Sequence, residues 1–170
     1  MHNHLTNAAI VSRSDTMSPG APRPIFDAPV AAAHAEDLDL RQQQQPSDCT
    51  RARDWIDHAE RTITLIDYGQ SVDNMTRTVL HELAHYCDPV AGERRATRGD
   101  PVLEIVAECA AWLGGDSVLG LEMTDASATY VAAWLEAHDS DDDSVAQVNE
   151  HTSQVAKRLE EALVTPTSTP

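Results

Sequence analysis

VLHELAHYCD, residues 79–88, holds two histidines four apart, His81 and His85, with Glu82 directly after the first. On an α-helix, residues four apart lie one turn above each other on the same face. Both imidazoles can therefore converge on a single ion. Glu82 is turned about 100° from His81, where it can reach a water on that ion without being a ligand. The flanks support a helix from Asn74 to Cys87, with Asp73 as the N-cap and Asp88-Pro89 as the stop. Two readings compete: a metal-activated hydrolytic site, or a helix whose histidines face water. A third ligand decides between them.

A ligand just downstream is excluded. The extended pattern HExxHxxGxxH needs Gly and His where this chain has Asp88 and Ala91. The next helix offers a better donor. It opens with Asp100 as N-cap and Pro101 at its first position, and Gly114-Gly115 are expected just beyond its end. Leu103, Val106, Ala107, Ala110 and Leu113 form its apolar stripe. Glu104 and Glu108, again one turn apart, interrupt a run that is otherwise apolar from Leu103 to Trp112. Carboxylates there are costly unless they meet a metal or a histidine. One can bind the ion while the other accepts the distal ring N–H of a liganding histidine.

Outward from these helices the chain is less patterned. Arg61 to Asp67 alternates polar and β-branched apolar residues and predicts a strand, whereas Cys49 to Arg61 is expected as a short helix. A polar loop follows from Ala91 to Gly99. A third helix is expected from about Ala126 to Ala137, capped by Asp125, and a fourth from Val145 to about Leu163. Residues 1–50, with a Pro-rich stretch and the run Gln42 to Gln45, have the composition of a disordered tail. The expected organisation is a tail over 1–50, one domain over 51–165 and a short tail over 166–170. The fold class is mainly α, of the α+β kind: about four helices with a strand or small sheet before the His81–His85 helix.

Composition narrows the partners. The net charge is −16. No lysine or arginine lies between Arg98 and Lys157, while Asp100 to Glu150 contribute twelve acids. Nucleic-acid affinity rests on Lys and Arg displacing counterions, so direct DNA binding is not expected. No run approaches the roughly 18 apolar residues of a membrane helix, and the N-terminus lacks a basic, apolar secretion signal. Cys49, Cys87 and Cys109 form no CxxC and no disulfide framework, which fits a reducing cytoplasm. Cys87 and Cys109 are expected as small buried apolar groups.

Three blocks carry a resemblance. Val79 to Tyr86, then Leu103 to Glu108 with Ala110 to Leu113, then Ser127 to Leu135 are similar to the C-terminal metallopeptidase domain of the antirestriction protein ArdC. That domain belongs to the polyvalent-protein metallopeptidases, distant relatives of the ImmA/IrrE zincins. The likeness covers roughly residues 62–165. It implies a zincin-like core and a gluzincin-like site in which Glu104, opening Glu104-Ile-Val-Ala107, is the third zinc ligand and Glu108 stands behind a histidine. Tyr130, in the third block, is the candidate donor to a tetrahedral oxyanion, although packing the core is the better reading of Tyr130 and Trp134. The single-stranded-DNA-binding domain of ArdC relatives has no counterpart in residues 1–50. The lead-in to their HExxH also differs, being Asp73 to Thr78 here.

The expected function is a Zn2+-dependent peptidase acting on a protein or peptide, in antirestriction or counter-defence. Glu82 would move the proton from water to the leaving amine. The substrate would lie near an edge strand at Thr62 to Asp67. The alternative is a non-catalytic, zinc-stabilised acidic module that imitates DNA or regulates a basic partner. Glu82 favours chemistry, since a purely structural site needs no base. His138 and His151 sit in acidic surroundings and are expected at the surface; His2, His4, His34 and His58 carry no assignment.

Overall fold

Ser71, not Asp73, starts the helix that carries the two histidines. Its Oγ accepts the Asn74 N–H at 3.3 Å, so the helix spans Val72–Cys87, two residues longer at its start than the sequence suggests. The structure is a computed structural model that describes residues 9–10, 26–44, 55–67, 71–93, 100–121, 128–129, 132 and 142–164. Among these the elements run β1 (Ala9–Ile10), α1 (Asp27–Ala35), β2 (Asp39–Gln44), β3 (Trp55–Asp57), β4 (Thr62–Asp67), α2 (Val72–Cys87), α3 (Pro89–Glu93), α4 (Pro101–Leu119) and α5 (Asp142–Val164). The class is α+β, as expected, with a small sheet ahead of the histidine helix. No helix among the described residues is long and apolar enough to cross a membrane.

The expected tail is partly folded. Residues 27–35 form α1 and residues 39–44 form β2, an interior strand of a sheet ordered β1-β2-β4-β3. The polarity of the Gln run is misleading here because β2 pairs through its backbone, parallel to β4, with Leu40 opposite Ile63 and Gln42 opposite Leu65. Ala32, Ala33, Leu38 and Leu40 bury their side chains in the common core. Arg61 closes the end of α1, its guanidinium donating to the carbonyls of Glu36 and Asp37.

The helix expected over Cys49 to Arg61 is also corrected. Residues 55–57 are strand β3, antiparallel to β4 with Ile56 opposite Ile63, and residues 58–61 turn. Asp57 Oδ1 makes that turn by accepting the N–H groups of Ala59 and Glu60, each at 3.0 Å. β4 consequently lies between β2 and β3 and is buried over residues 62–66. Over Thr62–Thr64 it is flanked by strands on both sides, so that part of the expected edge is not open to a substrate.

α4 starts as expected, Asp100 Oδ1 accepting the Val102 N–H at 3.0 Å with Pro101 following. It does not stop at Gly114-Gly115. The helix continues to Leu119 and ends at Gly120, whose φ of +67° permits its N–H to bond Asp116 O while Leu121 N–H bonds Gly115 O. The glycine pair serves packing instead. A Cβ on Gly114 would stand 3.1 Å from Leu159 Cδ2 of α5, and one on Gly115 the same distance from Leu80 Cδ1 of α2. Close contact on both sides outweighs the loss of about 1 kcal/mol per glycine in helix propensity. Gly114→Leu is therefore expected to destabilise the chain by about 1–3 kcal/mol through overpacking. A urea midpoint equal to wild type at equal slope would show that α5 can step aside.

α5 extends three residues before the expected start, and Val155, Ala156 and Leu159 carry its buried stripe. Of the third expected helix only residues 128, 129 and 132 are described; they are helical and exposed. Tyr130, Trp134 and His138 lie outside the described residues.

Candidate metal centre

The core packing of α2 against α4 brings two pairs of side chains face to face, each pair one helical turn apart. His81 and His85 come from α2, Glu104 and Glu108 from α4. The Nε2 atoms of the two histidines are 3.2 Å apart. Glu104 Oε2 is 3.5 Å from His81 Nε2, and Oε1 is 3.8 Å from His85 Nε2. Around an ion with bonds of about 2.0–2.2 Å, tetrahedral ligand atoms stand roughly 3.3–3.6 Å apart. The three groups thus fit a divalent cation with little adjustment, and all their ligand atoms lie within 4.8 Å of one another. Their side chains are 13–19% exposed, so the set is not sealed from solvent.

Glu108 takes the second role. Its Oε2 accepts from His81 Nδ1 at 2.9 Å, which leaves Nε2 of the same ring for the cation. Glu82 is 6% exposed, belongs to none of these ligand contacts, and lies close enough for its charge to act on His81. The sequence-derived residues His81, Glu82, His85, Glu104 and Glu108 are therefore brought together. Tyr130 is outside the described residues, and its expected role stays with the resemblance.

The electrostatics of the cluster favour positive charge at one place. Burial disfavours a charged His81, but hydrogen bonding to Glu104 and Glu108 and the charges of Glu82 and Glu108 raise its pKa to about 10. Burial and the neighbouring His81 lower that of His85 to about 4. The carboxylates that hold a proton on His81 are the ones that would attract a cation, and metal uptake at neutral pH must displace that proton.

His151 departs from its expected surface position. It is half-buried, and its Nε2 is 2.8 Å from Oδ1 of the buried Asp88. In the sequence Asp88 signals only a helix stop, and nothing local points to a partner 63 residues away. Cys87 and Cys109, expected as small buried groups, are half-buried. Burial pushes the Cys87 thiol up to about 12 and raises that of Cys109 too, so neither is a ready thiolate.

No family model matches the chain, and no curated protein is significantly similar to it in sequence. Among solved structures, the crystal structure of the antirestriction protein ArdC from plasmid R388, in its Mn(II)-bound form, superposes with a TM-score of 0.60. The chain has a fold similar to that of ArdC. The match is 24% identical and covers 85% of this chain and 54% of ArdC, so the chain spans about half the length of ArdC. At that identity the likeness is one of fold.

Proposed function

We propose that the chain is a divalent-metal peptidase, with zinc as the ion, that cleaves a protein substrate. The observation that supports this most is the spacing of His81 Nε2, His85 Nε2 and the Glu104 carboxylate, which is within a few tenths of an ångström of the edges of a metal tetrahedron. Two imidazoles and one carboxylate suit zinc with an open position, and are also compatible with Mn(II), the ion in the ArdC structure. When bound, the ion supplies a Lewis acid and lowers the pKa of water toward neutrality.

The protein groups do the rest. Glu82 accepts the proton of the attacking water and returns it to the leaving nitrogen. Glu108 fixes the ring plane and tautomer of His81. The cytoplasm is the proposed location. A role in antirestriction or counter-defence follows from the fold likeness to ArdC and is part of the same proposal.

The test is hydrolysis of a proteome-derived peptide library by the purified chain, with and without 1,10-phenanthroline. Cleavage should vanish with the chelator and return with Zn2+. A metal-loaded chain that cuts nothing would instead favour the second reading, a zinc-stabilised acidic module, which the net charge of −16 suits.

A further inference from the structure

Two faces of α2 border the one that carries the histidines. On one side Leu80, turned about 100° from His81, meets α4 at Gly115, where an added Cβ would stand 3.1 Å from it. On the other side lie Glu82 and Tyr86, one turn apart. Tyr86 directly follows His85, and a helical side chain leans toward the N-terminus, so its ring lies over the turn of Glu82. Two residues after β3 hold that ring. His58 stacks on it, with centroids 6.3 Å and planes 15° apart, and the Arg61 guanidinium carbon stands 5.7 Å from its centroid. The histidine face therefore lies between α4 and the Tyr86–His58 stack.

The support of this stack is rigid. Arg61 donates to the Glu36 and Asp37 carbonyls, and its own carbonyl accepts the Asp39 N–H at 2.9 Å. Arg61 and Asp37 have φ of +50° and +53°, values that residues with a Cβ seldom adopt and that persist where the surroundings impose them. His58 itself stays exposed, so packing alone does not account for its place on the ring. Partial burial lowers its pKa against the pull of Asp57 and Asp88, and the imidazole is neutral at pH 7. A neutral imidazole backed by a phenol offers an aromatic surface and no charge.

We infer that the Tyr86–His58 stack is a wall of the substrate cleft and selects an aromatic side chain beside the scissile bond. The inference rests on the peptidase reading above and deepens it by naming a class of substrate. Helix geometry carries it: the ring that His58 covers belongs to the residue after one ligand and one turn beyond the base. A substrate carbonyl placed at the ion within reach of Glu82 brings its neighbouring side chain to this wall, where a ring gains an offset or edge-to-face pair.

The test uses two metal-directed probes, L-phenylalanine hydroxamate and L-alanine hydroxamate, titrated calorimetrically into the zinc-loaded full chain. Both bind the ion through the hydroxamate and differ in the side chain held beside it. Wild type should bind the phenylalanine probe about 3–10-fold more tightly, the worth of one aromatic pair. His58→Ala should lose that preference, and His58→Phe, which restores a ring, should keep it, with zinc per chain unchanged in both. Equal binding of the two probes by wild type would overturn the inference and leave the metal centre standing. A His58→Ala chain that weakens both probes alike would also overturn it, since His58 would then only support the helix. A zinc-loaded wild type that binds neither probe would remove the open coordination position, and with it the peptidase reading as well.

Discussion

Glu82→Gln should keep its metal and its fold and lose about 10²–10⁴-fold in peptide hydrolysis, the range a positioned general base contributes. The side chain is 6% exposed and the amide has nearly the same shape, so packing is preserved. What disappears is a group that can take a proton from water and give it to the departing amine. Because Glu82 makes none of the ligand contacts, metal content should stay at the wild-type level. Single-turnover rates on a peptide cleaved by wild type, read beside metal per chain, check both halves. Cleavage at the wild-type rate by the metal-loaded variant would remove Glu82 from the chemistry.

Glu104→Ala should abolish stoichiometric metal binding. Its carboxylate lies 3.5 Å and 3.8 Å from the two Nε2 atoms and is the sole contribution of α4 to the ligand set. Losing it leaves two imidazoles one turn apart on a single helix, a weak bidentate site. Glu108→Ala is the control, because it removes the acceptor behind His81 and leaves the three ligand residues in place. The control should weaken metal by about 10–100-fold, and Glu104→Ala by more. Metal per chain after dialysis, for both variants, reads the difference. Equal retention in the two would mean that Glu104 is not a ligand.

Local regularities explain what could be read from the chain. His81 with His85, and Glu104 with Glu108, share faces because helical period is a property of the backbone, and the Asp100-Pro101 start is written in adjacent residues. Their meeting across α2 and α4 could be anticipated because carboxylates in an apolar helix need a partner. Long-range causes explain the rest. β2 owes its place to β4, whose backbone satisfies it whatever the side chains of the Gln run. Gly114 and Gly115 look like a helix end, yet their role is set by Leu159 and Leu80 on other helices. His151 reads as a surface residue in an acidic stretch until α5 is laid across the end of α2.

The parallel pairing of β2 with β4 has a practical side. The composition changes near Ser47, and a fragment begun there would still contain both histidines and both α4 glutamates. It would also lack the strand that covers one flank of β4. The six residues Thr62–Asp67, rich in β-branched side chains, would then present a bare row of amide and carbonyl groups. Such a fragment would be prone to pair with copies of itself and come out of solution as aggregate. Its failure would reflect a cut through a cooperative sheet, and would carry no information about the metal centre further along the chain.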